Sequence, residues 1–266
     1  MAASQAADGD IVRSSLSIAS IALLLAGCAG MRVGGIPDYH AVVASPDRTE
    51  ADRQTDPRRK PEQLLAFAGV REGMTVLDMG AGAGYSTELL ARAVGPKGSV
   101  YAQESPAGSP RARERFEERA KSPAMRNVTQ VSRAYDDPVP PMAPRFDLIT
   151  FFFAYHDTAF MTVDRAKMNR ALFEALKPGG ILVVADHSAQ SGAGVGVAKT
   201  LHRIEESTLR REIEAAGFKR VAEAAFLRNP ADLRDTVVFR PQTPVDEFVL
   251  KFEKPAQGRA AESNSM

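Results

Sequence analysis

Seven residues, Asp78-Met79-Gly80-Ala81-Gly82-Ala83-Gly84, set three glycines in five positions behind an acid, at the end of a run of strand formers. Glycine in such a turn tolerates positive φ and lets a ligand reach the main chain without meeting a Cβ. A second acid, Glu104, stands 20 residues beyond Gly84 at the end of the strand-like run SVYAQE. Three of the four histidines, His156, His187 and His202, fall at the ends of strand-like runs or just before a helix-like one. An imidazole titrates near neutral pH and suits proton abstraction. Asp157 and Asp186 are the carboxylates beside these rings in sequence and are placed to orient them.

The spacing excludes one ligand. A dinucleotide fingerprint, G-x-G-x-x-G, would need glycine at position 85, where Tyr85 stands. The pattern present, D-x-G-x-G-x-G, resembles the first motif of class I S-adenosylmethionine-dependent methyltransferases. FDLITFFFAYHD from Phe146 resembles the fourth-strand motif of that family, and LKPGGILVVAD from Leu176 the helix-turn-strand before its active-site edge. The order RKPEQLLAFAGVREGM, YHD, ADH, LHRIEES also looks like a group of uncharacterised bacterial methyltransferases that carry export leaders. Together the matches run from about Pro61 to Lys254.

The resemblance implies S-adenosyl-L-methionine as cofactor and a set of contacts to it. Asp78 would meet the ligand's ammonium, directly or through water, and Gly80, Ala81, Gly82 and Gly84 would let it approach. Glu104 would accept from both ribose hydroxyls. The chain departs from the family after its third strand: where Gly-Asp-Ala is usual it reads Ser132-Arg133-Ala134, so Asp136 is the candidate for the adenine contact. Methyl transfer needs an acceptor lone pair in line with the sulfur–carbon bond. His156 is the expected base, oriented by Asp157 or Asp186, with His187 or His202 near a small-molecule acceptor. Arg203 is a candidate clamp for an anionic acceptor, with Glu205 or Glu206 as alternative partners. The histidines and acids also permit a metal reading, but no H-x-x-x-H or H-E-x-x-H spacing occurs, and no metal is expected.

The elements that must position these residues alternate. Strand-like runs MTVLDMG, GSVYAQE, NVTQVSR, RFDLITFFFAY and GILVVADH are separated by helix-like ones, of which PEQLLAFAGV opens the series. The pattern predicts an α/β, Rossmann-like, doubly wound sheet. KRVAEAAFL and DEFVLKFEK follow with no convincing helix between them. A seven-stranded, mostly parallel sheet with an antiparallel final strand is therefore expected. The small-residue loop SAQSGAGVGVAKT reads as a mobile cover over the acceptor.

A formal charge of +1 lacks the clustered Lys and Arg that phosphate neutralisation needs, so no nucleic-acid partner is expected. The run Arg58-Arg59-Lys60 reads as a solvated linker end. Residues 1–27 resemble a lipoprotein-type signal peptide: SSLSIASIALLLAG is uncharged and precedes Cys28, the chain's only cysteine and the candidate lipid-anchor position. That leader would place the protein in the cell envelope, anchored on the periplasmic side; without it the protein would be cytoplasmic. Residues 28–60 read as a tether or N-terminal cap that closes over a pocket, 61–254 as the methyltransferase domain, and 255–266 as a disordered tail. A nicotinamide-dependent reductase is disfavoured because none of the five tyrosines begins Y-x-x-x-K. The alternative from another class is a catalytically silent, methyltransferase-like nucleoside-binding envelope lipoprotein.

Overall fold

The first strand shows how the sheet sorts its residues. In β1 (Thr75–Met79), Leu77 and Met79 face one apolar layer while Val76 faces the other, as the two-residue period of a strand requires. The computed structural model describes residue 1, residues 34–239, residue 241 and residues 243–256. The leader, Cys28 and residues 257–266 of the tail lie outside the described residues.

Behind β1 come α4 (Tyr85–Val94), β2 (Ser99–Glu104), α5 (Pro110–Ala120), β3 (Val128–Ser132) and β4 (Phe146–Phe152). The chain continues through α6 (Arg165–Ala175), β5 (Leu176–His187), α7 (Ala198–Leu201), α8 (Glu206–Glu214), β6 (Lys219–Ala224) and β7 (Glu247–Glu253). The seven strands form one sheet in the order β3-β2-β1-β4-β5-β7-β6. β1 pairs in parallel with both β2 and β4, and β7 lies antiparallel between β5 and β6. The expected architecture is present, final antiparallel strand included.

From β1 the chain winds outward to β2 and β3, then returns to β4 and winds the other way. That reversal leaves a crevice beyond the carboxyl ends of β1 and β4, the place where open α/β sheets bind ligands. Buried Phe146, Ile149 and Phe151 of β4 join Leu172 of α6 and Leu209 of α8 on one face. Leu89 and Leu90 of α4 join Val76, Leu148 and Val183 on the other.

Ahead of β1, in the stretch 28–60 expected as a tether or N-terminal cap, the described residues from 34 on carry α1 (Tyr39–Val43) and α2 (Glu50–Arg59), followed by α3 (Pro61–Ala68). Thr49 caps α2 by accepting the Asp52 N–H at 3.2 Å, and Pro61 opens α3, where its missing donor costs nothing. Among the described residues no helix is long and apolar enough to cross a membrane.

Candidate active site

The glycine turn links β1 to α4 and is fastened to the end of β2. Gly80 donates its N–H to Gln103 Oε1 at 3.1 Å, and Gly82 donates to Glu104 Oε2 at 2.8 Å. Gln103, fully buried, in turn donates to the Arg133 carbonyl at 2.7 Å, tying the turn to the segment after β3. Gly80 has φ 64°, and a Cβ there would stand 2.8 Å from that of Ala154. At Gly82, φ is 55° and the nearest atom to an added Cβ is 3.9 Å away, so its bare face looks into open space.

That space is a cavity of about 1180 Å³. Gly80, Ala81, Gly82 and Glu104 line it, as a bound nucleoside would require. Burial raises the Glu104 carboxyl above its ordinary value, offset in part by the Gly82 and Ser105 amides and reinforced by the nearby charge of Asp157. Gly108 also belongs to the wall, because a Cβ there would lie 2.2 Å from Glu104 Oε1.

Three expected contacts are placed elsewhere. Asp78 shares the α4-facing side of β1 with Val76, and its register partner is Thr150 of β4. Its carboxylate accepts from the Thr87 hydroxyl at 2.7 Å and the Thr150 hydroxyl at 2.8 Å, inside the core rather than on the cavity wall. Burial pushes it up to about 6, against the lowering effect of both hydroxyls. Asp78 thus anchors the turn from below. Gly84 is off the cavity as well: an added Cβ would meet Arg119 Cδ at 2.9 Å and the Phe116 ring at 3.0 Å, so its bareness serves packing of α4 against α5. Asp136 lies 3.8 Å from Lys167 Nζ, while its neighbour Tyr135 is the residue that reaches the cavity.

The cap completes the wall. Asp52 of α2, buried, receives Arg119 in a two-pronged pair at 2.7 and 2.9 Å, and Arg119 also holds Glu88 and donates to the Ala83 carbonyl at 2.9 Å. Asp56 is clamped by Arg48 at 2.7 and 2.8 Å and accepts the Tyr85 hydroxyl at 2.6 Å. Arg59 overturns the solvated-linker reading: its guanidinium stacks 3.5 Å over Phe153, lines the cavity, and has its Nη1 enclosed without a hydrogen-bond partner. Burial, with neighbouring Arg58, lowers its pKa to about 10. The local signal for this cap was Thr49-Glu50 ahead of a ten-residue charged helix.

The histidines gather beside the cavity. His156 follows β4 in a 3₁₀ turn and is buried; its Nδ1 lies 2.7 Å from Asp186 Oδ1, and its N–H donates to Asp186 Oδ2 at 2.8 Å. Its Nε2 is 3.1 Å from Asp157 Oδ1 and 3.3 Å from His202 Nδ1. Burial alone would lower His156, but the charges of Asp186 and Asp157 raise it to about 10, and it lowers both acids in return. His187 is also buried, and burial drives its pKa well down. It stands 2.9 Å from Glu247 without hydrogen-bond alignment, leaving Nδ1 unsatisfied, and burial has pushed Glu247 up to about 7. Asp157 lines the cavity, whereas His156, His187 and His202 stand behind that wall.

Two further expectations change. Arg203 is buried against Asp232 at 2.8 Å and the carbonyls of Ser188 and Thr236 at 2.9 Å, so it ties the segment after β5 to the β6–β7 connection instead of clamping a ligand, and neither Glu205 nor Glu206 is its partner. In the loop after β5, Ser188, Ala189 and Ser191 border a separate pocket of about 220 Å³, and the cover over the large cavity comes from α2.

Comparison with known proteins bears on this geometry. The family described as "Methyltransferase domain" matches residues 50–223, most of the chain and all of the turn, the cap helix and the histidine cluster. A protein-L-isoaspartate O-methyltransferase from Ignicoccus hospitalis is 34% identical over 121 residues, 46% of this chain and 51% of the relative. The chain thus matches about half the length of that curated relative. Among solved structures, a SAM-dependent methyltransferase from Aquifex aeolicus aligns with TM-score 0.54 at 22% identity, over 76% of this chain and 96% of that one. An arsenic(III) S-adenosylmethionine methyltransferase from Chlamydomonas reinhardtii aligns with TM-score 0.55 at 19% identity, over 85% of this chain and 76% of that one. The chain belongs to the methyltransferase-domain family, and its glycine turn, strand-end acid and cavity are set in the fold of the S-adenosylmethionine-dependent methyltransferases.

Proposed function

We propose that the protein transfers a methyl group from S-adenosyl-L-methionine to a small-molecule acceptor. The observation that carries this reading is the pairing of a Cβ-free turn with the Glu104 carboxylate on one cavity wall. Gly80 and Gly82 leave room for the cofactor, and Glu104 retains free lone pairs to accept from two adjacent ribose hydroxyls. Arg59, a cation with an enclosed and unmatched Nη1, suits the cofactor's carboxylate. When bound, the cofactor supplies a sulfonium methyl group.

The chain's own work is positioning. α2, pinned by Asp52–Arg119, covers the cavity and excludes water, and Asp157 offers a carboxylate on the acceptor side. The enclosure by α2 favours a small acceptor. Methylation of a protein carboxylate is a second reading, carried by the match to the Ignicoccus enzyme. Incubation of the purified chain with methyl-labelled cofactor tests both: transfer to small-molecule extracts but not to isoaspartyl peptide is expected. Label in the peptide alone would replace the acceptor class, and label in neither would favour a nucleoside-binding protein without transfer. The lipid anchor at Cys28 belongs to the same proposal, and incorporation of a palmitate analogue that a Cys28→Ser change abolishes is its test.

A further inference from the structure

Three side-chain atoms behind the cavity wall form a nearly equilateral triangle. His156 Nε2 to Asp157 Oδ1 is 3.1 Å, His156 Nε2 to His202 Nδ1 is 3.3 Å, and His202 Nδ1 to Asp157 Oδ1 is 3.4 Å. Among the described residues this is the group of histidine and acid atoms that converges closely enough to hold an ion. Two imidazole nitrogens and a carboxylate oxygen bound to zinc at 2.0–2.2 Å in a tetrahedral arrangement lie about 3.3 Å apart.

Hydrogen bonding accounts for only one edge of the triangle. The contact between the two rings is aligned as a hydrogen bond, whereas neither contact to Asp157 is directed along a donor. The ring of His156 is held from behind as metal-ligating histidines are: its other nitrogen meets Asp186, whose two oxygens are fixed by the N–H groups of His156 and His187 at 2.8 Å each. His202 is set by the backbone, in the left-handed region at φ 54° directly after α7, with the Phe160 ring at 5.6 Å and the Phe239 ring at 4.6 Å. A non-glycine residue pays strain to sit there, and such strain recurs at functional sites. Asp157, the third corner, is also a wall of the cavity, as is Phe160.

We propose that His156 Nε2, Asp157 Oδ1 and His202 Nδ1 bind a divalent transition-metal ion of the zinc class, leaving a coordination position to a ligand from the cavity. The sequence permits a metal among its histidines and acids but does not single out this set, because two donors are neighbours and the third is 45 residues away on another loop. Two imidazoles with one carboxylate select zinc, cobalt or iron over magnesium or calcium, which prefer all-oxygen sites. An ion there lowers the pKa of a hydroxyl or thiol that coordinates it, the proton leaving to water. The acceptor class it favours therefore carries an ionisable oxygen or sulfur, a step that rests on the methyl-transfer reading.

The test is titration of the untagged, chelator-treated full chain with Co²⁺, followed by visible absorption, and then displacement by Zn²⁺. One equivalent with the intense visible bands of a low-coordinate site is expected. His202→Gln, at a partly exposed position, and Asp157→Asn should each weaken binding at least about tenfold, the scale seen even for outer-shell changes. His40→Gln, at an exposed ring remote from the triangle, should leave it unchanged. No saturable uptake, or equal uptake by the His202 and Asp157 variants once circular dichroism shows them folded, would overturn the site. Calorimetry with S-adenosylhomocysteine on the same sample separates the two readings: ion uptake without nucleoside binding would remove the methyl-transfer reading and leave the ion site standing, and the converse would do the opposite.

Discussion

Asp78 illustrates how a side chain can matter to a ligand site it does not touch. Its carboxylate is buried, meets two hydroxyls and no cation, and is held up to about 6. An acid whose folded pKa is raised contributes stability that is full below its ordinary value and lost as pH rises through the raised one. Here the window runs from 3.8 to about 6, and the loss is on the order of 3 kcal/mol. Asp78→Asn removes the titration and keeps an acceptor for one hydroxyl, while the other can turn to accept from the amide. Urea unfolding should therefore find the variant more stable than the parent at pH 8, with the advantage gone at pH 4. An advantage that is flat across this range would contradict the assignment of the burial cost to Asp78. Which way Asp78 points was not legible from its own neighbourhood: the motif locates an acid at the strand end, but its register with Thr150, 72 residues on, supplies the partner that draws it into the core.

At the scale of elements, the cap is held chiefly by charge. Arg119 of α5 joins Asp52 of α2 to Glu88 of α4, all three largely buried; removing it leaves Asp52 uncompensated, while Glu88 keeps Arg92 at 2.7 Å. Arg119→Ala should cost roughly 3–5 kcal/mol in equilibrium unfolding, the usual penalty for breaking a buried pair, and should loosen α2 to limited proteolysis. A cost below about 1 kcal/mol would show that the pair is no more than a surface bridge. This ionic attachment also explains why residues 34–60 read as a tether. Hydrophobic periodicity finds a helix that buries an apolar stripe, and α2, with the sequence EADRQTDPRR, buries Asp52 instead. The β–α alternation was legible because its helices and strands do bury apolar faces, and the missing last crossover correctly indicated the antiparallel β7. The loop after β5 was misread for a different reason: small residues signalled freedom, yet Gly194 donates to Glu205 at 2.8 Å and Ala189 to the Ile204 carbonyl at 2.9 Å, fixing it away from the cavity. Deleting residues 191–196 should leave cofactor affinity within about twofold of the parent, measured by calorimetry, because cavity contacts are untouched. A loss of tenfold or more would restore the loop as a lid.

Across the whole molecule, the reversal of winding between β1 and β4 sets the turn, Glu104 and Asp157 around one crevice, and the cap closes it. Chain order revealed the first two because each sits at a strand end with its own motif. The histidine cluster needed the fold: β4 and β5 must pair in parallel before His156 can meet Asp186, and His202 arrives only by the turn after α7. The claim on which the rest depends is that Glu104 and the bare turn hold a nucleoside. Calorimetric titration of the parent and of Glu104→Ala with S-adenosylhomocysteine tests it most directly. Losing charged hydrogen bonds of about 1.5–3 kcal/mol each predicts saturable one-to-one binding by the parent and affinity at least tenfold weaker in the variant. A parent that does not bind, or a variant that binds as well as the parent, would contradict it.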